Sequence, residues 1–234
     1  QSDVVAAAVK GEGPFKTKGK QSHIRLIASL FSEDVHLIAA QNADIKSVSD
    51  LKGKRISLGL AGSGTSFTAR TILSAYRIAE WRVKILSLDT PEAITQLKQG
   101  KLDAFFAVGG VPISGVGELL SSHAAVLVPL TGAGRDRLMK MDSTLEPAAI
   151  AYPGQPPVQT VSTRALWIVR DTVPDNLVYG ITRALFNPAN RSGLRASHPS
   201  AREIGLASAA SMVPAELHPG AARYYAEVAR AAQR

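Results

Sequence analysis

Apolar residues in this chain fall into short runs separated by polar and glycine-rich breaks, and the runs alternate between two periods. Arg55 to Leu60 reads as a short strand, and Gly62, Ser63 and Gly64 form a flexible turn after it. From Thr65 onward the spacing becomes helical, with Ala69, Ile72, Leu73 and Tyr76 at i, i+3, i+4 and i+7. Upstream, Asp3 to Val9 is an apolar run of strand type, and Ile24 to Leu30 and Val35 to Ala40 are two further strands. Ile45 to Gly53 is a short helical turn closed by glycine. Downstream, Arg82 to Leu88 is a strand carrying Val83, Ile85 and Leu86. Thr90-Pro91 opens a helix with Thr90 as N-cap; Ile94 and Leu97 face inward and Gly100 closes it. Leu102 to Val108 is a buried strand, Gly109-Gly110-Val111-Pro112 a turn, and helix follows through Leu120. Ala125 to Leu130 and Val161 to Val169 are strands, with loops and short helical turns between Leu138 and Pro157. Pro174 starts a helix with Leu177, Ile181 and Leu185 on one face, and Arg191 to Ala210 is mixed. Gly220 to Ala232 is a terminal helix with Ala221, Tyr224, Tyr225 and Val228 at helical spacing.

Strands alternating with helices predict a largely parallel α/β architecture. In open sheets of that kind, ligands sit beyond the carboxyl ends of the strands. Both glycine-rich turns, Gly62-Ser63-Gly64-Thr65 and Gly109-Gly110, fall at such ends, a placement that lets them face one cleft. For Gly109-Gly110 an ordinary strand-to-helix turn is the equal alternative.

The first turn carries the sharper chemistry. A strand that ends in Gly-Ser-Gly-Thr before a helix aims free N–H groups and hydroxyls at whatever lies above the helix start, a geometry that binds carboxylates or phosphates. The helix dipole adds roughly 0.3–1 kcal/mol at exposed sites. The plainer alternative is that Ser63 or Thr65 is only an N-cap. The turn is not a dinucleotide fingerprint, because Phe67 occupies the third glycine position. Nor is it a P-loop, since Gly53-Lys54 precedes a strand and not a helix.

Composition narrows the classes further. The 234 residues suffice for one large or two small domains, and 45% hydrophobic content supports a packed core. No apolar stretch reaches the ~18 residues of a transmembrane helix, and the N-terminus lacks the pattern of a signal peptide. The absence of cysteine removes disulfides, thiolate metal sites and cysteine nucleophiles. The net charge of +8 suits anionic partners, but the basic residues are scattered. The densest run, Lys16, Lys18 and Lys20, fits a solvated loop, and no aromatic-interleaved basic patch points to nucleic acid. The five histidines are spread without i, i+4 pairing, so no metal is expected. No G-x-S-x-G elbow or close carboxylate pair stands out. Asp103 reads as a structural hydrogen-bonding residue after Gly100, and Trp81 and Trp167 as core or cleft-wall residues. The chain offers a binding turn without visible catalytic machinery and without a cofactor motif.

Longer motifs carry a family resemblance. Ile45 to Gly59 with Gly62-Ser-Gly-Thr65 resembles the start of the second lobe in type II periplasmic binding proteins. Gly100-Lys-Leu-Asp-Ala-Phe-Phe106 with Gly109-Gly110-Val111-Pro112, Asp171 to Tyr179, and Leu217 to Tyr225 narrow the resemblance. Together, in this order, they resemble the TAXI family, the solute receptors of tripartite ATP-independent periplasmic (TRAP) transporters. The resemblance runs nearly end to end. It implies an α/β, two-lobed type II periplasmic-binding-protein fold with ligand in the cleft. The first lobe would comprise 1–40 and 161–234, the second 49–158, with hinge strands near 35–40 and 165–169. Gln1 to Ala6 resembles a strand well inside the family's first lobe, so that lobe is expected to lack its N-terminal part, including a ligand-holding turn. The implied ligand set is Gly62, Ser63, Gly64, Thr65, Gly109, Gly110 and, on the first segment, Ser2. Family members often carry an acidic residue after Gly-Ser-Gly-Thr, where this chain has Ser66-Phe67. A phenylalanine there favours an aromatic or apolar ligand if it faces the cleft; packing into the core is the slightly preferred alternative.

The resemblance implies a monomeric, periplasmic or otherwise extracytoplasmic receptor for a small anionic ligand such as glutamate, a 2-oxoacid or an aromatic acid. It would deliver that ligand to a TRAP-type membrane permease, without cofactor, nucleic acid or catalysis. The competing readings are an enzyme on the same scaffold, for which no nucleophile or acid–base pair can be named, and the effector-sensing module of a transcription regulator.

Overall fold

The computed structural model of the protein describes residues 1–210 and 214–233. Its elements, in order, are α1 (Ser2–Lys10), β1 (Ile24–Ala40), β2 (Arg55–Ser57), α2 (Gly64–Ala75), β3 (Lys84–Leu86), α3 (Thr90–Lys98), β4 (Ala104–Gly109) and α4 (Val116–Ser121). There follow β5 (Ala125–Leu127), α5 (Gly132–Met141), β6 (Glu146–Ile150), β7 (Val158–Arg170), α6 (Asp175–Leu185), α7 (Arg191–Ser197) and α8 (Pro219–Ala231). The chain divides into a terminal unit, Gln1–Ser32 with Arg164–Arg234, and a central unit, Glu33–Thr163. It passes from one to the other inside β1 and returns inside β7. The first-lobe range expected from the sequence includes 211–213 and 234, which lie outside the described residues.

The fold is mixed α/β. In the central unit the strand order is β3-β2-β4-β1-β7-β6, with β5 also paired to β1. The pairs β2–β3 and β2–β4 are parallel, and their strands are joined through α2 and α3. The pairs β1–β4, β1–β5 and β6–β7 are antiparallel, so the sheet is mixed and not largely parallel as the alternation predicted. The connection from β6 to β7, residues 151–157, is too short for the crossover that parallel pairing requires.

Both sheet faces are covered, which explains why β4 reads as a continuous apolar run. Leu37, Ala39, Ala104 and Phe106 share one core cluster with Ala69, Ile72 and Leu73 of α2 and Leu138 of α5. Ile38, Phe105 and Ala107, at the alternate positions, pack with Ala93 and Leu97 of α3 and Val116, Leu119 and Leu120 of α4. The terminal unit has its own core of Ile27, Ala28, Val178, Ala209 and Ala221. There, Gly220 lets α8 start hard against α6: a Cβ at this position would lie 2.2 Å from the Asp175 carbonyl oxygen.

Several expectations need correction. The run Asp3 to Val9 is helix α1, not a strand. Its three consecutive alanines favour helix, Asp3 and Lys10 complement the dipole at the two ends, and Gly11 closes it in the left-handed conformation. Ile24–Ala40 is one strand of 17 residues, because the polar middle at Ser32, Glu33 and Asp34 stays extended. The supposed loops between Leu138 and Pro157 contain the end of α5 and strand β6. The α5 period was hidden because only Gly134 and Leu138 are buried; β6 carries Pro147, which is tolerated because β6 ends the strand order. In α6 the buried positions are Val178 and Thr182, while Leu177 is 55% exposed.

Candidate functional site

At the carboxyl edge of β3-β2-β4, three strand-to-helix connections lie side by side, because the strands are parallel neighbours. The connection after β2 is the most constrained. Ser57 is buried; its hydroxyl donates to the Leu88 carbonyl at 3.2 Å and accepts the Gly59 amide at 3.2 Å. Ser87 holds the next residues, accepting the Ala61 amide at 2.8 Å and donating to the Gly59 carbonyl at 3.3 Å. These two serines tie the turn after β2 to the turn after β3. Gly59 adopts φ +87°, and a Cβ there would lie 2.9 Å from Thr65 Cβ and 3.1 Å from Ser63 Oγ. Only a residue without a side chain lets the turn close on the helix start.

Ser63 is the N-cap of α2, its Oγ accepting the Ser66 amide at 3.1 Å. The plain capping alternative is therefore realised, yet it spends only a lone pair, and the hydroxyl proton stays available to a ligand. Gly64 and Thr65 open the helix, so their amides have no intrahelical carbonyl to donate to. Ser63, Gly64 and Thr65 are partly exposed and Gly62 is exposed. The first turn of α2 contains no acidic residue. These donors lie at the positive end of a 12-residue helix, where a carboxylate or another oxyanion is favoured. Phe67, two positions beyond Thr65, is partly exposed and belongs to neither core cluster of the central unit, contrary to the preferred core reading.

The neighbouring helix starts differ. The N-cap of α3 is Asp89, not Thr90; its carboxylate accepts the Glu92 amide at 2.9 Å and already supplies negative charge. The connection after β4 begins at Gly109, which pairs with Asp34 of β1, and Gly109 and Gly110 are partly exposed. This connection is anchored from below. The Ile113 amide donates to Tyr152 Oη at 3.0 Å, and Tyr152 Oη lies 3.1 Å from His36 Nε2. His36 Nδ1 is 2.9 Å from the Asp34 carbonyl, which accepts its proton; Nε2 then accepts from the tyrosine. His36 has no exposed surface, and burial lowers its pKa to about 4, so the imidazole is neutral. Burial also pushes the Tyr152 phenol up. Sequence reading missed Ser57, Gly59, Ser87, His36 and Tyr152. The alternating position of His36 within an apolar strand was the available signal for a buried polar anchor.

Ser2, of the expected set, lies in α1 of the terminal unit with no exposed surface, and its Oγ accepts the Arg164 amide at 3.1 Å. Asp103 has the structural role expected: both of its oxygens engage Arg55, whose guanidinium holds the carboxyl below the usual carboxylate range. Trp81 is not a core residue, being 79% exposed, and Trp167 is 38% exposed. Among the described residues, no group of three or more His, Asp or Glu side chains is placed to hold a metal ion, and no helix is long and apolar enough to cross a membrane.

The chain belongs to the NMT1-like family, whose profile matches residues 1–228. Parts of it are similar to several solved periplasmic binding proteins. The alkanesulfonate-binding protein SsuA from Xanthomonas axonopodis pv. citri, bound to MOPS, is 18% identical over 54% of this chain and 38% of its own, with a TM-score of 0.37. A periplasmic binding protein of an ABC transporter from Brucella ovis, with glutathione bound, is 13% identical over 80% of this chain and 50% of its own, with a TM-score of 0.45. Holo ArgBP from T. maritima is 13% identical over 81% of this chain and 71% of its own, with a TM-score of 0.43. The chain thus spans half or less of the first two proteins.

Proposed function

We propose that this chain is an extracytoplasmic solute receptor that captures a small carboxylate at the start of α2 and hands it to a TRAP-type membrane permease. The observation that carries the reading is the uncompensated start of α2, which opens on Ser63, Gly64 and Thr65 without an acidic residue in the first turn. Gly62 shapes the turn, and Gly109 and Gly110 carry no side chains of their own beside it. The permease partner and the extracytoplasmic location rest on the TAXI-like motifs. Glutamate, a 2-oxoacid and an aromatic acid are the ligands to try; the partly exposed Phe67 favours the last. On this reading the role is binding without catalysis, as the TAXI-like motifs imply.

Calorimetry with these acids tests the proposal. Thr65→Val keeps the packing against Gly59 and removes a hydroxyl donor. Losing a hydrogen bond to a charged group costs about 1.5–3 kcal/mol, so Kd should rise from about tenfold to over a hundredfold. Wild-type affinity should change only modestly between low and moderate salt. If the variant binds like wild type while salt alone abolishes binding, diffuse positive charge holds the ligand and the turn does not.

A further inference from the structure

The opposite edge of the central sheet has a different character. There the amino ends of β2 and β3 meet the carboxyl ends of α2 and α3. The Gly53 amide donates to the Arg82 carbonyl at 2.7 Å, the Lys84 amide to the Lys54 carbonyl at 2.8 Å, and Arg55 lies opposite Lys84 in register. Cations collect at this edge. Lys52, Arg77, Arg82, Lys84 and Lys101 are all exposed, and none forms an ion pair among the described residues. The nearby acids are already engaged: Glu80 by Arg70, Asp103 by Arg55, Glu118 by Lys98, and Asp50 by the Ser47 cap. In the midst of these cations stands Trp81, 79% exposed, with the Arg82 guanidinium 4.8 Å above its ring. Core packing does not account for a large aromatic residue held out in solvent among unpaired cations.

We propose that this edge is a docking face for an anionic lipid surface. An indole has an apolar body and a polar N–H, and it settles at the headgroup level of a bilayer. Basic residues beside it supply the attraction to anionic headgroups. The free positive charges and the exposed ring are complementary to such a surface together. Because the candidate ligand site lies at the other edge of the same strands, docking leaves it open.

The test uses the full chain carrying Trp167→Phe, so that Trp81 is its single tryptophan. It is mixed with vesicles of phosphatidylcholine alone or doped with phosphatidylglycerol. The expected result is co-sedimentation and a blue shift of Trp81 emission with the anionic vesicles only, both reversed by salt, since the Debye length is about 8 Å at physiological ionic strength. Each basic residue near an anionic surface is worth about fivefold in partitioning, so Arg82→Glu with Lys84→Glu should weaken binding more than tenfold. Equal sedimentation with both vesicle types, an unshifted emission maximum, or a double variant that binds like its parent overturns the proposal. So does binding to duplex DNA without binding to vesicles. Should the double variant fail to fold, the salt titration of the parent decides, and retention insensitive to salt overturns it.

Discussion

Acidification should destabilise this protein through a single buried side chain. His36 has no exposed surface, and burial outweighs the hydrogen bonds to the Asp34 and Ala107 carbonyls that favour the cation, lowering its pKa from 6.5 to about 4. In the unfolded chain the imidazole takes up its proton near pH 6.5; in the folded chain it does so only near pH 4. Between those values the unfolded state binds up to one more proton, so stability rises with pH across the window. The contribution is complete above about pH 6.5, declines as pH falls, and is lost below about pH 4. The gap corresponds to about 3 kcal/mol, a large fraction of a typical domain's stability. Urea unfolding followed by circular dichroism from pH 4 to 7.5, on wild type and His36→Gln, gives the difference curve. The offset between the proteins is immaterial; the prediction is that the variant gains about 3 kcal/mol relative to wild type on going from pH 7 to 4. A flat difference curve, or a His36 ring resonance that titrates near pH 6.5 in the folded protein, would refute the burial argument.

Two further outcomes test the geometry around the site. Gly59→Ala, at φ +87° and facing Thr65 at 2.9 Å, should cost about 1–3 kcal/mol and remove carboxylate binding, while Gly62→Ala, with nothing within 4 Å, should be milder in denaturation and calorimetry. Tyr152→Phe strips the partner from the Ile113 amide and from His36 Nε2, so it should cost about 1–3 kcal/mol and speed hydrogen exchange at Ile113; unchanged exchange would show that the hydroxyl does not anchor the connection.

What was legible in the sequence follows the range of the forces involved. The α2 pattern was readable because its buried face, Ala69, Ile72 and Leu73, follows the i, i+3, i+4 spacing of a helix. Helix α1 was misread because its valines suit a strand, while the signals that decide the matter are the alanines and the Gly11 cap. Strand β6 escaped because Pro147 argues against a strand unless its place at the end of the sheet is known, and that place depends on pairing with distant β7. The site divides in the same way. Ser63, Gly64 and Thr65 are local in sequence and were found. Ser57–Leu88, Ala61–Ser87 and His36–Tyr152 join residues from 26 to 116 positions apart, and no periodicity encodes such pairs.

The departure from the TAXI-like pattern at Ser66-Phe67 gains a physical meaning once the neighbouring helix starts are compared. An acidic residue in the first turn stabilises a helix by occupying its positive end, typically by 0.3–1 kcal/mol. The start of α3 is occupied in this way by Asp89 and Glu92, and α4 has Glu118 in its first turn. Helix α2 forgoes that stabilisation, since Ser63 is a neutral cap and Thr65, Ser66 and Phe67 carry no charge. On the proposed reading, the neutral position leaves both the dipole and the donors to a ligand, and sets a partly exposed aromatic ring beside them. A ligand with a carboxylate at one end and a flat apolar body at the other engages both features at once, whereas glutamate, with a second charge in place of that body, would set this charge against the ring.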